Sequence, residues 1–336
     1  MGMRRLAGRF AAGAFGAIVA SGIAVQAHAD ELLGQPTAGA IGLQQGASPL
    51  RHDATFFHDK ILLPMCIIIS LLVLALLLIC VFRFNKKANP IPARWSHNTT
   101  IEIIWTVVPV LILMIIAIFS FRLLFAYHDL PKVDVTVKAT GYQWYWGYEY
   151  PDQKIGEFTS NVLPEEEAKA KGVPFRLAAT QPLVVPVNKT VRVLTTGADV
   201  IHAFGVPAFG IVIDAIPGRT NETWFRAEKV GTYYGQCREL CGVDHAFMPI
   251  EVKVVSDAEF DAWTVAKGGK TKAQIAAEAA AEAAAAKAAA ATAAATAAAA
   301  PAAAGAATPA AATVPAPGAA PAAAAAPAPA APAAKQ

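Results

Sequence analysis

Two long apolar runs dominate the first third of the chain: Leu62 to Val81 and Ile103 to Phe121, neither carrying a charge. Each approaches the ~20 residues that take a helix across ~30 Å of hydrocarbon, where every backbone polar group must pair within its own segment. Pro64 near the start of the first run and Pro109 inside the second introduce kinks that neighbouring helices can absorb. From Pro131 to Val255 the pattern shortens. Val133 to Thr140 and Pro249 to Val255 alternate apolar with polar, while Thr190 to Thr196 and Thr220 to Phe225 are rich in β-branched and aromatic residues. Turn signals such as Ile216-Pro217-Gly218 separate these strands, which predicts an all-β sandwich or Greek-key barrel. Glu165 to Lys171 reads as a short helical insertion or an acidic loop.

The ends of the chain have other characters. Arg4, Arg5 and Arg9 precede an apolar stretch from Phe10 to Val25 and then Ala27-His28-Ala29, the three parts of a secretory signal with cleavage near Asp30. After Ala266 complexity falls. Ala279 to Ala300 has the composition of an isolated helix, and the prolines from Pro301 onward favour an extended chain, so the segment reads as a disordered or semi-rigid tail. Arg83, Lys86, Lys87 and Arg94 crowd the short loop between the apolar runs, which assigns that loop to the cytoplasm and everything after Tyr127 to the outside. The expected organisation is a cleaved signal at 1–29, a periplasmic segment at 30–57, a transmembrane helix hairpin at 58–127, a periplasmic β domain at 128–264 and an Ala/Pro tail at 265–336. A signal with a basic cytoplasmic loop suits a bacterial inner membrane. Net charge is +3 and no basic block is interleaved with aromatics, which gives nucleic-acid binding no support.

Four cysteines occur. Cys66 and Cys80 lie in the first apolar run and read as small packing residues. Cys237, Cys241, His245 and Met248 follow one another at spacings of four, four and three. Alone, a cysteine pair in an exported domain is usually a disulfide, and zinc is a further option for thiolates with a histidine. Thiolates, thioether and imidazole together are what copper prefers, and two neighbouring thiolates can bridge two copper ions with a histidine ending each side. The second histidine is available upstream as His202, in Ala198-Asp199-Val200-Ile201-His202.

Tyr233-Tyr234-Gly235-Gln236-Cys237-Arg238-Glu239-Leu240-Cys241-Gly242 through His245, Phe247, Met248 and Pro249 resembles the dinuclear-copper signature of the cytochrome c oxidase subunit II family. Glu102-Ile103-Ile104-Trp105-Thr106, Gln143 to Tyr150 and Asp214-Ala215-Ile216-Pro217-Gly218-Arg219 resemble the same family, from about His58 to Val255. The resemblance implies a two-helix transmembrane hairpin followed by a cupredoxin-like Greek-key domain. It implies copper held by His202, Cys237, Cys241, His245, Met248 and the Glu239 carbonyl, and magnesium at the Glu239 carboxylate. Trp144 would be an exposed indole receiving electrons from cytochrome c, with Glu149, Asp152, Glu165, Glu166, Glu167 and Asp199 as acids near a positively charged partner. Glu102 would stand at the mouth of a proton channel. Subunit I, and subunit III with it, would be the membrane partners, and subunit I would carry the haem and reduce oxygen to water. A copper delivery or storage protein is the alternative, but it would need neither Glu102 nor the Trp144 run. A quinol-oxidase counterpart would lack the copper side chains.

Overall fold

The computed structural model describes residues 33–298. The signal at 1–29 and the part of the tail after Ala298 lie outside the described residues. Helix α1 runs continuously from Pro49 to Arg83 and α2 from Thr99 to His128. At 1.5 Å per residue their 35 and 30 residues span about 50 and 45 Å, more than a ~30 Å hydrocarbon layer needs. Both begin on side-chain caps: Ser48 Oγ accepts from the Arg51 N–H and Asn98 Oδ1 from the Ile101 N–H. Within α1 the stretch Phe57–Leu62 is π-helical, and the Leu63 N–H bonds the His58 carbonyl five residues back. Pro64 follows at once; it lacks a donor and crowds the preceding turn, so a widened turn there relieves the ladder. The apolar runs expected at 62–81 and 103–121 both lie inside these longer helices. Their surplus length grips the β domain. Leu50 is buried, Ser48 donates to the Phe209 carbonyl at 2.7 Å, Tyr127 to the Gly210 carbonyl at 2.7 Å, and the Trp224 indole to the Ala126 carbonyl at 3.2 Å.

Ten strands follow: β1 Val135–Tyr142, β2 Tyr145–Tyr150, β3 Ile155–Ser160, β4 Leu183–Pro186, β5 Thr190–Gly197, β6 His202–Val206, β7 Ile211–Ala215, β8 Asn221–Arg226, β9 Gly231–Cys237 and β10 Pro249–Val255. They form two five-stranded sheets, ordered β3-β2-β1-β5-β8 and β4-β10-β9-β6-β7. The β1–β5 and β4–β10 pairs are parallel and the others antiparallel. Trp146, Tyr148, Tyr150, Phe204, Phe209, Phe225 and Tyr233 fill the space between the sheets. The expected sandwich and membrane hairpin are both present. Glu165–Lys171 is helical (α3), and α4 (Asp257–Ala266) starts on a reciprocal capping box between Ser256 and Glu259. Within the expected tail, Lys272–Ala298 is a helix, α5, as the alanine content allows. The chain divides into two units after Ala279; among the described residues the second is the remainder of α5.

Candidate metal centre

Sequence-distant donors meet where the two sheets close against each other. Cys237 ends β9, and its strand pairs with β6 so that Phe204 faces Cys237. That register brings His202, at the start of β6, beside it. The His202 ring is fully buried, with Nδ1 4.0 Å from the Cys237 sulfur. The segment between β9 and β10 is tied at its base: the Cys237 N–H donates to the Met248 carbonyl at 3.0 Å, and the Arg238 N–H to the Ala203 carbonyl at 3.0 Å. The chain thereby folds back, placing the Cys241 sulfur 3.9 Å from that of Cys237 and 3.5 Å from His245 Nδ1. The Glu239 carbonyl oxygen lies 3.3 Å from the Cys237 sulfur. Met248 is 1 % exposed and belongs to the same buried cluster as both cysteines. The six expected copper donors therefore occupy two strand ends and the closed loop between β9 and β10.

The cysteines are free thiols, and 3.9 Å far exceeds the roughly 2.05 Å of a disulfide. Two sulfurs at that separation are both within reach of one metal at a metal–thiolate distance of about 2.3 Å. Donor chemistry fits copper: soft sulfur and imidazole, enclosed by apolar residues. Charge is arranged for it as well. Burial raises the Cys237 thiol, but His202 and the surrounding hydrogen bonds outweigh it and hold the group below its usual range. Cys241 is pushed up by burial and by the neighbouring Cys237 charge. Adjacent thiolates repel, so ionising the second thiol is harder than ionising the first.

Supporting groups complete the site. His202 Nε2 lies 2.8 Å from Asp199 Oδ1, and Asp199 also accepts from the Gln143 and Val200 N–H groups at 2.7 and 2.6 Å. Burial opposes ionisation of Asp199, but these bonds and the imidazole outweigh it and keep the carboxyl below its ordinary range. An acid grouped by sequence with surface charges is thus the fixing partner of a buried histidine, a role readable from its place three residues before His202. Other acids expected near a partner are also engaged: Glu149 with Lys138, Asp152 with the Thr136 N–H, Glu165 with Lys169 and Glu167 with Lys171. Trp144 stands in the two-residue turn between β1 and β2 and is half-buried where an exposed indole was expected, because its N–H and the Gln143 amide both donate to the Cys241 carbonyl, at 3.2 and 2.8 Å. The Glu239 side chain is exposed and has no hydrogen bond or ion pair among the described residues. Glu102 is far from this site, in the first turn of α2, where its carboxylate accepts from the Asn98 N–H at 3.3 Å and completes the helix cap.

Known proteins resemble this chain in sequence. Residues 135–255 match the family model for the cytochrome c oxidase subunit II periplasmic domain, and 36–123 that for its transmembrane domain. Cytochrome c oxidase subunit 2 of Cereibacter sphaeroides is 47% identical over 77% of this chain and 91% of its own length. The probable subunit 2 of Rickettsia bellii is 48% identical over 69% of this chain and 86% of its own. A solved periplasmic domain of oxidase subunit II from Bradyrhizobium japonicum is 56% identical, covering 41% of this chain and 96% of that one, with a TM-score of 0.39. With its membrane helices, its β sandwich and this length of shared sequence, the chain belongs to the cytochrome c oxidase subunit II family.

Proposed function

We propose that this chain is the electron-accepting subunit of a proton-pumping cytochrome c oxidase, anchored in a bacterial inner membrane with its β domain in the periplasm. The observation that carries this is the convergence of the buried His202, Cys237 and Cys241, with the half-buried His245 3.5 Å from the Cys241 sulfur, from strand ends and a closed loop. His202, Cys237, Cys241, His245, Met248 and the Glu239 carbonyl would hold two copper ions. Bound there, the pair supplies a one-electron relay whose charge is shared between two metals. The chain's part is to keep the donors still. His202 is clamped by Asp199, Cys237 is fixed in a strand, and the loop is closed by the Cys237–Met248 backbone bond.

Trp144 is the group we assign to receive electrons from a cytochrome c. Its indole is part-exposed on one side and hydrogen-bonded on the other to Cys241, which links the domain surface to a donor residue by a single contact. The unpartnered Glu239 carboxylate is a hard oxygen ligand suited to magnesium at a boundary with subunit I. Glu102, an ionisable group where a spanning helix begins, is the candidate for the proton-channel entrance. The test is to load the full chain with copper, count metal per chain and record the electron paramagnetic resonance spectrum. Two coppers sharing one unpaired electron support the reading. A single copper with a localised spin, or preferred zinc, refutes it.

A further inference from the structure

The insertion between β3 and β4 is built onto the two strands that carry the metal loop. Its ends are zipped together, the Leu163 N–H to the Ala178 carbonyl at 2.9 Å and the Thr180 N–H to the Asn161 carbonyl at 2.8 Å. Leu163, Ala168 and Ala178 pack on Tyr234 of β9, three residues before Cys237. The Ala179 N–H donates to Glu251 of β10 at 2.7 Å, three residues after Met248. From this platform Arg176 reaches the loop itself, with its guanidinium carbon 4.5 Å from the centroid of the Phe247 ring. Phe247 closes the short turn His245–Phe247, its N–H donating to the Asp244 carbonyl at 2.9 Å. Arg176 makes this contact from a left-handed backbone conformation, φ 68°, which an arginine adopts only where its surroundings enforce it.

We propose that Arg176 is a positioning residue: by stacking on Phe247 it holds the His245–Phe247 turn, and so His245, against the cysteine pair. The proposal rests on His245 being a metal donor, but the clamp itself is a property of the metal-free chain. The test uses Arg176→Ala, Arg176→Lys and Phe247→Leu in the full chain, held in lipid nanodiscs. Amide exchange of the peptide containing residues 245–248 in metal-free protein should quicken about two- to fivefold in Arg176→Ala, as an exposed cation–π contact implies. Phe247→Leu should match it, the double variant should add nothing, and Arg176→Lys should stay near wild type. Unchanged exchange in Arg176→Ala, or additive effects in the double variant, overturns the clamp. In copper-loaded protein, Arg176→Ala should keep its metal count but alter the hyperfine pattern, with Arg176→Lys restoring it; an unaltered pattern overturns the link to His245. A wild-type chain that takes up no copper refutes the function above and leaves the exchange measurement to decide the clamp alone.

Discussion

Substituting alanine for Gly141 tests whether the wall behind His202 is as tight as its geometry implies. Gly141 lies in β1, in the opposite sheet, and an added Cβ would sit 2.7 Å from both Cγ and Cδ2 of the buried ring. Ordinary contact begins at 3.4 Å, so the imidazole would have to retreat by about 0.7 Å. Overpacking a filled core costs about 1–3 kcal/mol, and reduced freedom of the unfolded chain returns about 0.5–1 kcal/mol. A net loss near 1 kcal/mol lowers the melting temperature of a domain this size by about 2–4 °C. The effect on metal is larger, because ligand positions must hold within about 0.2 Å. We expect Gly141→Ala to lower copper affinity by about 10–100-fold, as disturbing the support of a metal histidine does. Gly147→Ala is the control: its Cβ would meet the flexible end of Glu157, 2.7 Å away, which can swing aside. Calorimetry and competitive copper titration of both variants decide. If Gly141→Ala melts and binds like wild type, or if Gly147→Ala is equally damaged, the packing argument fails.

Removing the histidine's partner with Asp199→Ala should weaken copper binding about 10–100-fold at low and high salt alike, measured by competition with a chelator; a loss confined to cytochrome c association, fading with salt, would make Asp199 a docking charge instead. Trp144→Phe should leave the copper spectrum intact while slowing reduction by cytochrome c in stopped-flow mixing, and an unchanged rate would remove Trp144 from the route. Glu251 supplies a pH test: burial outweighs its bond from the Ala179 N–H and raises the carboxyl above 4.5. An acid raised in the folded state stabilises most below its unfolded value and loses that contribution as pH rises through the raised one. Urea midpoints from pH 4 to 7 should therefore fall for wild type relative to Glu251→Gln, and parallel curves would refute the assignment.

Much of this was legible because the signals are local. The apolar runs announced the membrane helices, and the cysteine, histidine and methionine spacings announced a group of candidate donors, since donor chemistry belongs to residue identity. Other features were hidden by weak periodicity. The first turns of α1 carry a mixed sequence because only Leu50 of that stretch is buried, against the β domain. Strands β6 and β4 are buried at every position, so neither alternates. The Ser256-to-Glu259 spacing is a local start signal for α4, whose capping box the structure contains.

What holds the donors is a different kind of information from what they are. Asp199 is near His202 in the chain and could be paired with it by eye, but Gly141 touches the same ring only because β1 and β6 come together between two sheets. Likewise nothing in Gln143-Trp144 points to the Cys241 carbonyl until the turn and the loop are folded against each other. Such contacts leave no spacing to read, since each joins residues whose separation along the chain is set by topology. A site whose donors alone were preserved on a looser scaffold would still bind metal; it would not hold His202 and His245 to within the fraction of an ångström that a low-reorganisation relay needs. The walls, more than the ligands, are where sequence variation should tune electron transfer in this chain.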